Sequence, residues 1–195
     1  MPSKFLYTLK LAQKSNTIKQ IDNLPEDKSI YKKAWLSLMS RAAAGIVVEP
    51  EWSKYSTFKT WAEDHYFEHG FSLSSLLKTP ETDAVLTNSA LFIPKDIWSF
   101  IKPNRSAENY NFRGVRIFTG RNRHRAVGYF KRDTYQIGTF DTAEEAHFAW
   151  LWWKIKRGYK LLDELDPRCW QVKEAFVAYL ERMENHLRLR KEFKR

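Results

Sequence analysis

The sequence predicts an α+β protein in two parts: a front half of helices and short strands, then a three-stranded antiparallel sheet packed on a helix, with one further helix at the C-terminal end. Three observations carry that expectation. Apolar residues recur at helical spacing around Trp35, Phe58 and Phe176. Three short runs, FRGVRIF, RAVGYFKR and TYQIGTF, read as strands ahead of the helix-forming DTAEEAHFAW. Charge also changes sign along the chain, from acidic over 45–98 to strongly basic over 102–132.

Residues 1–26 are lysine-rich and close on Asn23-Leu24-Pro25-Glu26, a basic arm and a turn. A helix is expected from Ser29 to Ala44, with Tyr31, Trp35, Leu38 and Met39 on one face and Gly45 as its stop. Ile46 to Val48 reads as a short strand. Ser56 is placed to cap a second helix, in which Phe58, Trp61, His65 and Tyr66 recur at helical spacing. Short strands and turns over Ser72 to Trp98 lead into a helix near Pro94. The polar, proline-bearing stretch Lys102-Pro103-Asn104-Arg105-Ser106 opens a linker over 102–111, which ends a front domain of residues 27–101.

Sheet and helix then occupy 112–165, and a last helix with a basic tail occupies 166–195. Asp141, with Glu144 three positions on, forms a capping arrangement for a helix that runs to Gly158. Asp166-Pro167 repeats the logic, a cap followed by proline at the first helical position. The last helix turns Phe176, Val177, Leu180, Met183 and Leu187 inward before the tail Arg188 to Arg195.

The 195 residues carry a formal charge of +10 and a pI near 9.6, which favours a polyanionic partner. From Lys102 to Arg132 nine lysines and arginines face Glu108 alone, whereas over 45–98 four lysines face eight carboxylates. The front part therefore should not hold phosphate well by itself. Cys169 is the only cysteine, so no intrachain disulfide is possible and a reducing compartment is expected. Lysines interrupt MPSKFLYTLKLAQKS before a signal-peptide length is reached, and no apolar run is long enough to cross a bilayer. The expectation is a cytoplasmic protein with no membrane partner.

Alternation along the three strands divides their residues between a core and an exposed face. Val115, Ile117, Val127, Tyr129, Tyr135 and Ile137 are expected against Ala146, Ala149, Trp150 and Trp153. Arg116, Phe118, Arg132, Thr134 and Gln136 then face out, towards the major groove of double-stranded DNA, where arginine can donate two parallel hydrogen bonds to guanine. Arg121, Arg123 and Arg125 are expected on backbone phosphates, which give affinity and register without sequence information, and Lys131 is a further DNA-binding candidate. A basic solvated surface without a specific partner is the plainer reading of the same charges.

FRGVR, RAV and IGTFDTAEEA followed by Ala149 resemble the DNA-binding domain of the plant Apetala-two and ethylene-response-factor group, which is also appended to bacteriophage homing endonucleases. The resemblance covers Tyr110 to Gly158 and implies DNA contacts from Arg113 and Arg116, and from Arg132, Thr134 and Gln136. Gly128 and Phe130 stand where plant members carry polar contact residues.

Upstream, Tyr31-x-x-x-Trp35-x-x-x-Met39-x-Arg41, GIVVEPEW, STFKTWAEDHYFEHG and ALFIPKDIW follow the order of the HNH endonucleases that phages pair with this module. That resemblance implies a ββα-metal front domain in which a metal polarises the phosphate and a base activates water. The expected acid and base positions here read Ser72-Leu73-Ser74-Ser75-Leu76-Leu77, and the expected Asn is Trp98, so the signature is degenerate. Asp83, Asn88 and Asp96 are candidates for a displaced catalytic site, although they read first as turn residues and an exposed helix acid. His65 and His69, four apart, are the metal-ligand candidates.

Three functions follow as expectations. The first is duplex DNA binding with catalysis lost and no cofactor. The second is an active HNH endonuclease using Mg or Mn. The third is an interaction protein whose front domain captures a host or phage protein, which would need exposed aromatics; Trp52, Tyr55, Trp61, Tyr66, Phe67 and Phe71 read first as core residues.

Overall fold

Trp35, Leu38 and Met39, three and four positions apart, are buried along one stripe of α1 (Ile30–Ala43), and Gly45 beyond its end has a φ of +98°. The computed structural model describes residues 30–65, 68, 70–79, 84–102, 112–118, 123–131 and 133–193. The arm over 1–26, residues 103–111 of the linker expected over 102–111, and the last two residues of the tail lie outside them. Two compact units are formed, 1–94 and 95–195. No helix among the described residues is long and apolar enough to cross a membrane.

In the first unit, α1 is followed by a 3-10 turn (Pro50–Ser53), α2 (Tyr55–Glu63) and two antiparallel strands, β1 (Ser72–Ser74) and β2 (Leu91–Ile93), with Leu73 opposite Phe92. The expected strand at Ile46 to Val48 is reduced to a single parallel bridge between Val48 and Val85. Pro50 lacks the N–H that would extend it. Aromatic residues supply the core: the buried Trp35 indole donates to the Trp52 carbonyl at 2.8 Å, Trp52 meets Phe58 edge-on at 5.5 Å, and Trp61 packs on both Trp52 and Phe92. Tyr55 and Phe71 pack against the same core. Trp52 is buried in this core, while Tyr55, Trp61 and Phe71 are partly exposed against it. Tyr66 and Phe67 lie outside the described residues.

The second unit begins with α3 (Lys95–Ile101), earlier than the linker position read from the sequence. Phe100 explains the difference: it meets Phe176 edge-on at 5.4 Å and Tyr179 at 6.5 Å, which commits this helix to the C-terminal core. Strands β3 (Val115–Phe118), β4 (Arg123–Phe130) and β5 (Asp133–Phe140) form the antiparallel sheet in that order. Behind it run α4 (Ala143–Asp163), a 3-10 turn (Pro167–Cys169) and α5 (Trp170–Arg188).

The capping box on α4 falls one residue later than expected: Thr142 Oγ1 accepts from the Glu145 N–H, and the Glu145 carboxylate accepts from the Thr142 N–H, both at 3.2 Å. Asp166 caps the 3-10 turn by accepting from the Arg168 N–H at 2.9 Å, with Pro167 at its first position. Gly158 does not stop α4, which continues to Asp163. A Cβ at this position would overlap Leu180 and come within 3.1 Å of Phe100, so the glycine serves close packing among α3, α4 and α5. The tail folds back after α5, and Phe193 is wholly buried against Tyr179 and His186.

Candidate nucleic-acid interface

Register fixes which residues share the face of the sheet turned away from α4. Arg116 stands opposite Arg125, Arg125 opposite Thr139, Val127 opposite Gln136 and Tyr129 opposite Thr134. Directly opposed residues of antiparallel strands project to the same side. Arg116, Thr134 and Gln136 are exposed, Arg125 is partly buried, and Val127 shares the face by register although its side chain is covered.

Tyr129 belongs to this face, 48% exposed, rather than to the core position expected for it. Its hydroxyl accepts a hydrogen bond from Arg116 Nη2, and the Arg116 guanidinium lies 5.7 Å from its ring centroid. On the opposite side Gly128 is pressed against the Trp153 ring, Tyr135 meets Trp153 at 5.4 Å, and Phe130 is buried. Assigning β4 one residue out of phase exchanges its two faces, because the side-chain period is two. A signal for the correct phase was present in Ala126 and Gly128, small residues two apart that suit a sheet covered by Trp150 and Trp153. Ile117, paired with His124, is 58% exposed rather than packed on α4.

The remaining cations divide by partner. Arg123 Nε is 3.0 Å from the Asp141 carboxylate. Lys131, at φ +47° in the turn between β4 and β5, donates to Glu164 at 2.6 Å; that bond raises the lysine pKa and lowers that of the carboxyl. Arg121 and Arg132 lie outside the described residues.

Arg113 does not reach the outward face. Its guanidinium lies 5.7 Å from the Trp150 ring centroid and 6.0 Å from that of Phe193, and its Nη1 is buried without a hydrogen bond. Its carbonyl accepts from His147 Nδ1 at 2.9 Å, while His147 Nε2 accepts from the Phe193 N–H at 3.2 Å. These two bonds fix the neutral tautomer with hydrogen on Nδ1. Burial lowers the His147 pKa, consistent with that neutral form.

In the first unit, the serines standing where an acid and base were expected are engaged with backbone. Ser74 Oγ accepts from the Leu76 N–H at 3.3 Å, and Ser75 Oγ donates to the Ala84 carbonyl. Asn88 is exposed in a turn and offers its carbonyl to Lys78 at 3.4 Å. Glu49 fastens the same turn, accepting from the N–H and hydroxyl of Thr87 at 3.0 Å each. Asp96 is an exposed residue in the first turn of α3, in the second unit, and Asp83 lies outside the described residues.

His65 falls beyond the end of α2. It stacks on Trp61 at 4.2 Å, with Nδ1 2.7 Å from the Trp61 carbonyl, and does not sit on a helical face. His69 lies outside the described residues. Among the described residues no group of three or more His, Cys, Asp or Glu side chains is gathered to hold a metal ion. No family model, curated protein or solved structure matches the chain.

Proposed function

We propose that the protein binds double-stranded DNA through the outward face of β3, β4 and β5, and that it derives from a phage HNH homing endonuclease whose catalysis has been lost. The observation that carries this reading is the direct opposition of Arg116 and Arg125 on one face, beside Tyr129, Thr134 and Gln136. Like charges set opposite each other in a sheet weaken it. A polyanion laid across the face turns that repulsion into attraction.

Tyr129 sharpens the reading. By accepting from Arg116 and lying beneath its guanidinium, it restrains a long side chain that would otherwise lose rotamer freedom on binding. Thr134 and Gln136 supply hydroxyl and amide groups for base edges, while Arg116 and Arg125 suit either guanine or phosphate.

Support for the lost catalysis lies in the first unit. β1 and β2 form an antiparallel pair, as the HNH resemblance implies, but the next helix in the chain, α3, belongs to the second unit, and Ser74 and Ser75 use their hydroxyls on nearby backbone. Neutral serines of that kind are poor substitutes for a carboxylate on a divalent cation.

The test is fluorescence anisotropy with a labelled duplex over a range of NaCl. Affinity is expected to fall steeply with salt, and Arg116→Ala should weaken binding and reduce the logarithmic salt slope by about 1. Absent or salt-insensitive binding overturns the proposal. Incubation with supercoiled plasmid and Mg or Mn separates the endonuclease reading, which requires nicking.

A further inference from the structure

Arg113 and Lys154, both partly buried, lie on the same aromatic platform and have no acidic partner among the described residues. Arg113 approaches Trp150 and Phe193, while Lys154 Nζ lies 4.6 Å from the Phe100 ring centroid and 5.2 Å from that of Trp150. Neither forms an ion pair with a carboxylate among the described residues, and Arg113 Nη1 is shielded from water with no acceptor. Glu192 is the acidic group felt by His147 in this neighbourhood, alongside Arg113 and His186.

Proteins rarely withdraw cations from water without pairing them, because the lost hydration must be replaced. Aromatic faces replace part of it. They do nothing for the mutual repulsion of two cations, which an anion between them would remove.

We propose that Arg113 and Lys154 form an anion site that takes one phosphoryl group beside Trp150. A phosphoryl group fits better than a carboxylate, since it offers more charge and three acceptor oxygens, enough for an arginine fork and a lysine point charge together. Desolvation and the nearness of Arg113 push the Lys154 pKa down to about 7 in the absence of such a ligand, and a bound dianion reverses that displacement. The site is separate from the sheet face that carries Arg116 and does not depend on the DNA-binding reading. The phosphoryl group comes either from a free phosphate or phosphomonoester, or from a nucleic-acid backbone.

Thermal unfolding of the full chain in sodium phosphate and in sodium chloride of equal ionic strength tests the site. Phosphate is expected to raise the midpoint beyond chloride. Lys154→Met and Arg113→Gln should each abolish the excess, while Arg116→Ala keeps it. Equal midpoints in the two salts, or an undiminished phosphate response in Lys154→Met, overturn the proposal. Once the response is established, the pKa of Lys154 followed by NMR identifies the source: a rise with inorganic phosphate alone assigns a small ligand, and an equal rise with a short duplex assigns the backbone.

Discussion

Replacing Lys154 with methionine should stabilise the second unit, by an amount that depends on pH in a defined direction. In phosphate-free buffer the folded protein holds this lysine at a pKa of about 7, against 10.5 for its ordinary value. That difference is worth about 5 kcal/mol between the two protonation states. Between those limits the unfolded chain binds more protons than the folded one, so stability rises as pH increases through the window and is lost as it falls. At pH 7 the forfeited stability is at most about 4 kcal/mol by the same linkage, less the solvent screening of a side chain that is only partly buried.

Methionine keeps the apolar stem over Phe100 and Trp150 and removes the charge, but it also removes the cation–π attraction, so about 2–4 kcal/mol should be recovered. Urea unfolding of both proteins at pH 7 and pH 10, followed by far-ultraviolet circular dichroism, measures the gain. It should be large at pH 7 and much smaller at pH 10. A variant less stable than the parent at pH 7, or a gain equal at both pH values, refutes the reasoning.

Four further substitutions probe the framework. His147→Gln should flatten the acid side of the stability profile: burial lowers the His147 pKa below its ordinary 6.5, so the parent protein loses stability as pH falls below that value, at up to about 1.4 kcal/mol per pH unit, as read by urea midpoints at pH 5 and pH 7.5. Gly128→Ala drives a methyl group into the Trp153 ring and should cost about 1–3 kcal/mol in urea unfolding, whereas Gly45→Ala, with open space around it, introduces only backbone strain. Trp35→Phe leaves the Trp52 carbonyl without its buried donor and should destabilise the first unit by about 1–3 kcal/mol, measured in the same way.

Long-period patterns were legible from the residues alone. The stripe of Trp35, Leu38 and Met39 and that of Phe176, Leu180 and Met183 each mark a buried helix face. Phase within the sheet was harder, because β4 reads RAVGYF, where apolar residues fall on both sides and a bulge at Ala126/Val127 interrupts the pairing. Deciding between Tyr129 and Phe130 for the core needs the Trp153 ring, which arrives from another element.

Gly158 shows the same limit. A glycine near the end of an amphipathic run looks like a stop, and only Leu180 and Phe100, both distant in sequence, reveal that the missing side chain makes room for them. The division after Pro94 was hidden for a similar reason: the polar stretch after Ile101 is visible in the sequence, but the contacts of Phe100 with Phe176 and Tyr179 are not.

Charge in the basic segment is equally uneven in use. The nine cations from Lys102 to Arg132 suggest one broad phosphate-binding surface. Arg123 leans on Asp141, Lys131 is tied to Glu164, and Arg113 turns inward to Trp150. The described residues among them are therefore less uniformly open to solvent than their number implies. The exposed pairs are weak in solvent and can exchange their carboxylates for phosphate at small cost. Arg113 has no comparable exchange available, since its surroundings are the rings of Trp150 and Phe193 and the ammonium of Lys154. A single basic run in the sequence thus divides between two electrostatic environments, one on the outward face of the sheet and one against the rings behind it, and each answers to its own substitution.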